Sequence, residues 1–362
     1  MQQRSIVFWN LERLFEASGS PIQSVISGDQ HSRITKEQIN EKIATIGAVL
    51  ERISEQVGPP ILVGFVEIQS SRLVKRIVRS ARSLGLTHVD AEAEDPFGMA
   101  LDAINVSLLY AKDVFSGVER IRSHIVDKTF ETRDILEVEL QRHNNEPVSV
   151  FVNHWPSRLS AEGASKRVTA AYYLRNLYSS VLRFSLAELW NVNDQAIIIP
   201  PKQALLARAR RPVIVMGDFN DEPFNASVEI LRTTTDMDAV ANDLKVKGRK
   251  RVDRFRSYVA SVPHLINPFW QLTTGEIGTY YRSPRWRTYD QIMFSRGLIE
   301  GEGQSVFYRE TDSLVFNEKS ITRDDGRVVK LTNRNGKPSS FNPETLNGCS
   351  DHFPIVIGVN VE

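Results

Sequence analysis

Between Lys36 and Glu67 the chain reads KEQINEKIATIGAVLERISEQVGPPILVGFVE. Ile39, Ile43, Ile46, Val49, Leu50 and Ile53 recur at helical spacing, which predicts an amphipathic helix over Lys36 to Glu55. Gly58-Pro59-Pro60 stops it, since proline cannot continue the helical hydrogen bonding. Ile61 to Val66 is then a continuous apolar run, the pattern of a buried strand, and it ends on a carboxylate, Glu67. Upstream, Ser5 to Trp9 repeats this pattern and ends on Asn10. Downstream, Ser70 opens a second helix with Leu73, Ile77, Val78 and Ala81 on one face, closed by Gly85. The order strand, helix, strand, helix places the chain in the α/β class.

The remainder is richer in strands. Ile104–Tyr110, Ile135–Leu140, Val148–Val152, Val213–Met216, Gly278–Tyr281, Thr288–Phe294 and Pro354–Val361 read as strands, and Ala161–Leu182 as a helix. Glu318–Phe341 is polar and turn-rich, a long loop or an irregular hairpin. No repeat or linker marks a domain boundary.

The chain has 362 residues, 41% hydrophobic and 25% charged, which excludes disordered and collagen-like classes. Its 45 basic and 44 acidic residues exclude a polybasic protein, although not a locally basic cleft. The one cysteine, Cys349, rules out an intrachain disulfide and has no activating neighbours in the sequence, so it reads as a bystander. No run reaches the length of a membrane span, and the N-terminal apolar run is too short for a secretory leader. These features point to a soluble, cytoplasmic protein.

The functional signal lies at the strand ends. The predicted strands lead into Asn10, Glu67, Asn153-His154-Trp155-Pro156-Ser157-Arg158 and Gly217-Asp218-Phe219-Asn220. Tyr289-Asp290-Gln291 opens another strand, and Ser350-Asp351-His352 precedes the last. Ligands gather where strand ends meet, so these residues are expected to converge on one cleft. Glu67, Asp351 and Asn10 offer hard oxygen ligands suited to Mg2+, while zinc or iron would call for more histidine or cysteine. Asp218 and Asn220 are two apart and on an extended segment point the same way, a spacing suited to positioning an attacking water. His154 and His352 are placed to contact phosphate oxygens. Trp9 and Trp155 are read as core.

This ordered set of six motifs resembles that of the endonuclease/exonuclease/phosphatase superfamily, which includes deoxyribonuclease I and the apurinic endonucleases, and it covers nearly the whole chain. The resemblance implies a four-layer α/β/β/α sandwich of two packed mixed β-sheets flanked by helices, and metal-dependent cleavage of phosphate esters. It implies Glu67 as principal Mg2+ ligand (Mn2+ as a substitute), helped by Asn10 and Asp351. Asp218 would deprotonate the attacking water, with Asn220 beside it. His352 would hold the scissile phosphate, Asp290 would fix and charge His352, and His154 and Asn153 would contact the phosphate. Arg158 is a candidate phosphate binder or the partner of an acid. An acid or amide on the strand before His154 would orient it, and Asp102 and Asn105 both qualify. Because the ligands run from Asn10 to Asp351 and must meet, the chain is expected to form one domain over residues 1–362, with long loops around 160–211, 242–287 and 316–348.

Lys245, Lys247, Arg249, Lys250, Arg251, Arg254 and Arg256 form a basic run, with Phe255 and Tyr258 beside it. It is a solvated loop or a clamp on a polyanion. Lys166 and Arg167, in the helix starting near Ala161, are further candidates to face the cleft. The expected activity is a nuclease acting on DNA or RNA. The alternative is a phosphatase or phosphodiesterase acting on a small-molecule or lipid phosphate ester. No protein partner is implied.

Overall fold

The computed structural model describes residues 1–16, 34–89, 105–126, 135–158, 162–191, 193–198, 200–242, 261–299, 305–311 and 313–362. The helix that opens the sequence argument spans Lys36–Val57. Thr35 accepts from the Gln38 N–H while the Gln38 side chain accepts from Thr35, so both ends of a capping box are present. Gly58 ends the helix at φ 124°, and a Cβ there would meet the Gln3 carbonyl oxygen at 2.6 Å. Glycine is therefore required at the stop.

Two mixed sheets carry the fold. The first has the strand order Val306–Arg309, Ile355–Val361, Gln2–Leu14, Pro60–Ile68, Asn105–Ala111, Leu86–His88. The second runs Thr233–Thr234, Leu265–Ile266, Asp290–Phe294, Val213–Asp218, Pro147–His154, Ile135–Arg142, Phe115–His124. Residues alternate strictly between faces. Val150, Val152, Ile214, Met216, Ile292 and Phe294 pack into the core shared with the first sheet. Phe151, Val213, Val215 and Met293 turn the other way, onto the helix Gly163–Leu182. The sheets approach closely: a Cβ on Gly64 would meet the Met216 sulfur at 2.5 Å. The helices Lys36–Val57 and Ser71–Ser80 cover the outer face of the first sheet. The expected four-layer α/β/β/α sandwich is what the chain adopts.

Strand direction explains why the polar motifs converge. Gln2–Leu14 pairs parallel with Pro60–Ile68, and Pro147–His154 pairs parallel with Val213–Asp218, so four motif-bearing ends lie at one edge. Ile355–Val361 and Asp290–Phe294 are antiparallel to their neighbours and therefore begin at that same edge.

Some boundaries differ from expectation. The strand predicted at Gly278–Tyr281 is Tyr280–Arg282, which forms a hairpin with Arg285–Arg287. In the polar segment, Ser320–Thr322 pairs with Val328–Lys330, so the irregular-hairpin alternative holds there. The region 160–211 contains the helices Gly163–Leu182 and Lys202–Ala209. Trp9 and Trp155 are buried, as expected. Among the described residues, no helix is long and apolar enough to cross a membrane.

Candidate active site

Left-handed residues stand near the C-terminal ends of three strands, within Gln2–Leu14 and Pro60–Ile68 and two residues beyond Val213–Asp218. Glu12 has φ 44°, Glu67 φ 60° and Asn220 φ 49°. Non-glycine residues adopt this region only when their surroundings hold them there, and such positions cluster at functional sites. At Glu67 and Glu12 the strand register slips, and each bulge turns a carboxylate into the cleft.

The first sheet contributes Asn10, Glu12, Glu67 and Asp351. Asn10 Nδ2 donates to Glu67 Oε1 at 3.3 Å and to Asp218 Oδ2 at 3.1 Å, while its Oδ1 accepts the Glu12 N–H at 2.9 Å. The Arg13 N–H donates to Glu67 Oε2 at 3.1 Å. Glu12 accepts from the Asp351 N–H at 3.1 Å and from the Ser340 hydroxyl at 2.6 Å.

The second sheet contributes His154, Asp218 and Asp290, and His352 closes the cluster. Asp218 and Asp290 are register partners across adjacent strands. His352 Nδ1–H donates to Asp290 Oδ2 at 2.8 Å, and its Nε2 lies 3.9 Å from Asp351 Oδ1. Tyr280 stacks on the His352 ring, with centroids 4.6 Å apart. His154 Nε2 sits 3.6 Å from Glu67 Oε1 and 3.7 Å from Asp218 Oδ2. The Asn220 N–H donates to Asp218 Oδ1 at 2.9 Å.

Crowded, buried carboxylates dominate the electrostatics. Burial, and then the charge of Asp290, pushes Asp218 up to about 7. Burial and Asp351 push Glu12 up to about 7, against the pull of Lys42. Burial raises Asp351, opposed by His352 and reinforced by Glu67 and Asp290. Burial alone would lower His352, yet Asp290, Asp351 and Asp218 outweigh it and hold the imidazole well above its ordinary range.

This donor set fits a divalent cation, which would supply the missing positive charge. Glu67 and Asp351 are its more open oxygen donors, with side-chain exposures of 17% and 38%, and leave room for retained waters. Asp218, Asp290 and His352 also bring ligand atoms within 4.8 Å of one another. There, however, the surrounding carboxylates favour the charged imidazole of His352, which competes with its use as a ligand.

Not every expected site residue faces the cleft in the expected role. Asn10 presents a donor, not an oxygen, to the carboxylates, so it bridges them instead of adding a ligand. Asn153 alternates with His154 and points the other way. It is fully buried, and its amide donates to the Phe151 and Met216 carbonyls at 3.3 Å. Arg158 is taken up by Asp221 at 2.5 Å, by Asn225 and by the Asn220 carbonyl. The acid-partner alternative is the one that this geometry displays. The strand does not stay extended through Asn220, whose side chain donates to the Trp155 carbonyl at 3.0 Å. Asp102, the Asn105 side chain and the basic run from Lys245 to Arg256 lie outside the described residues. Lys166 pairs with Glu162, and Arg167 is buried against Asp221. Cys349 is buried.

Two features were missed in the sequence. Glu12 lies on a bulge beyond the apolar run Ser5–Trp9, in a strand that continues to Leu14. The hairpin Tyr280–Arg287 carries Arg282, Arg285 and Arg287 with no acid and bridges to His352 through Tyr280. Its run of arginines and aromatics was a signal available in the sequence.

A family model described as the Endonuclease/Exonuclease/phosphatase family matches residues 5–199 and 202–361. No curated protein matches the chain. Among solved structures, a humanized D. rerio TDP2 bearing 14 mutations is similar, with TM-score 0.52, 13% identity and 99% of each chain covered. D. rerio TDP2 complexed with a single-strand DNA product gives TM-score 0.51 and 13% identity, also over 99% of each chain. A mannosyl-6-phosphatase from Bacteroides thetaiotaomicron VPI-5482 gives TM-score 0.50 and 11% identity over 98% of each chain.

Proposed function

The chain belongs to the endonuclease/exonuclease/phosphatase family of phosphoester hydrolases, and from that premise we propose that it is a divalent-metal-dependent phosphodiesterase that cleaves nucleic acid by in-line attack of water. The observation that carries this reading is the placement of Asp218. Asn10 bridges it to the oxygen donor Glu67, and it lies beside the hydrogen-bonded His352–Asp290 pair.

Asp218 is the general base. Asn10 and the Asn220 N–H fix both of its oxygens, and a pKa near 7 suits it to take a proton from water at neutral pH. His352, kept protonated by Asp290, donates to a phosphate oxygen and stabilises the charge that grows there. His154 contacts the phosphate from the Glu67 side. A cation held by Glu67 and Asp351, Mg2+ or Mn2+ in its place, would supply Lewis-acid stabilisation of the phosphate.

The shared fold includes both a DNA-product complex and a sugar phosphatase, so substrate class is argued from this chain's own cleft. The Tyr280–Arg287 hairpin supports a polyanion. Arg282 and Arg285 are exposed, and Lys337 sits 3.4 Å over the Tyr281 ring. Cations interleaved with aromatics suit a phosphate backbone with unstacked bases.

The test is turnover of plasmid, single-stranded DNA and RNA with Mg2+ and Mn2+, beside a panel of phosphate monoesters and lipid phosphodiesters. Metal-dependent cleavage of a nucleic acid supports the reading. Turnover confined to the small esters replaces it with the phosphatase alternative.

A further inference from the structure

Arg158, a candidate phosphate binder or acid partner in the sequence, belongs to a buried network beneath the loops that follow His154 and Asp218. At its centre is Asp221, in the turn that follows Asp218 and Asn220, only 4% exposed. Its Oδ1 accepts from Arg158 Nε at 3.0 Å and Nη2 at 2.5 Å. Its Oδ2 accepts from Arg167 Nε at 2.7 Å and from the Ser227 hydroxyl at 2.5 Å. Every oxygen is thus used, as a buried carboxylate requires.

Arg167 also reaches the neighbouring loop. Its Nη1 donates to the Pro156 carbonyl at 3.0 Å, two residues beyond His154. One guanidinium on the helix Gly163–Leu182 therefore holds both the loop after His154 and the loop after Asp218. The loops are stitched further by the Trp155 N–H on the Asp218 carbonyl at 2.9 Å and by Arg158 Nε on the Asn220 carbonyl at 2.9 Å. Only a planar fork with fixed donor directions satisfies two acceptors this way, and a lysine ammonium does not reproduce it.

His154 and Asp218 face each other across paired strands, and we propose that Arg167 is a positioning residue that holds the loops after them, and so the aim of both side chains, through its paired grip on Asp221 and the Pro156 carbonyl. Arg167 is 5% exposed and faces away from the cleft, toward Asp221. Its effect on the reaction rests on the proposed phosphodiesterase activity, while its effect on the loops does not. An ångström of misplacement between reacting groups costs on the order of a hundredfold in rate, so loss of this grip acts on turnover more than on binding.

The experiment compares wild-type protein with Arg167→Met and Arg167→Lys by steady-state kinetics and by amide hydrogen exchange. Arg167→Met is expected to lower kcat roughly a hundredfold with KM changed by less than about threefold, and Arg167→Lys to recover part of the loss. Exchange of the Trp155 and Asn220 amides is expected to rise about tenfold or more in Arg167→Met, with Val215 in the strand unchanged. Unchanged exchange at Trp155 and Asn220 overturns the proposal, as does an unchanged kcat in an active enzyme. If the wild type cleaves nothing, the proposed function fails and the exchange data alone decide the clamp. If Arg167→Met does not fold, Asp221→Asn and Arg167→Lys carry the same two measurements, with the same expected direction.

Discussion

The Asn10 side chain of the first sheet donates to Asp218 of the second at 3.1 Å, and the same nitrogen reaches Glu67 at 3.3 Å. One buried amide therefore ties the two halves of the cleft together. Asn10→Ala is expected to leave Asp218 less well oriented and to lower kcat roughly tenfold to a hundredfold. The lost hydrogen bonds to charged groups are worth about 1.5–3 kcal/mol of stability, which a denaturation curve measures. Wild-type kcat in this variant would remove the bridge from the account.

Asp290 holds His352 by a 2.8 Å hydrogen bond and by charge. Asp290→Asn keeps the shape and removes the charge. The imidazole then loses the first of the charges that offset its burial, and turnover is expected to fall on the order of a hundredfold or more, with KM nearly unchanged. Steady-state kinetics on the best substrate of the screen reads this directly.

Stability of the metal-free protein should depend on pH in one direction above pH 4. Asp218 and Glu12 bind protons more tightly folded than unfolded, with folded values near 7 against ordinary values of 3.8 and 4.5. The stability linked to them is fully present below those ordinary values and is lost as pH rises toward 7. His352, also raised, adds a loss of the same sign at higher pH. The melting temperature without metal is therefore expected to fall from pH 5 to pH 8. Mg2+ should restore it more at pH 8 than at pH 5, because it binds the ionised carboxylates. A melting temperature that rises over this range without metal would contradict the assigned crowding of carboxylates.

Burial pushes the Cys349 thiol up to about 12, so little thiolate forms at neutral pH. Native protein is expected to react with no equivalent of a thiol reagent, and urea-denatured protein with one. Cys349→Ala should keep full activity.

Much of the fold was legible because apolar runs and their polar ends report strand direction. Ile61–Val66 followed by Glu67, and Val213–Met216 followed by Asp218, needed no tertiary information. Asn153 departs from expectation, although strand alternation already places it opposite His154, since neighbours on a strand cannot share a face. Local sequence does not decide the role of Arg158, because its partner, Asp221, lies 63 residues away. Glu12 is not legible because it lies past the apolar run Ser5–Trp9, on a bulge whose left-handed residues, Glu12 and Arg13, have no local sequence signature. Burial and long-range pairing decide such cases, and neither is written in local sequence.

The central claim is that Asp218 is the base that activates water beside a bound divalent cation. The direct measurement is the metal-dependent cleavage rate of Asp218→Asn against wild type, on single-stranded DNA or RNA, with substrate affinity measured in parallel. The account predicts a fall in kcat of a hundredfold to ten-thousandfold, approximately, with substrate affinity kept within a fewfold. A variant that cleaves at the wild-type rate would contradict it.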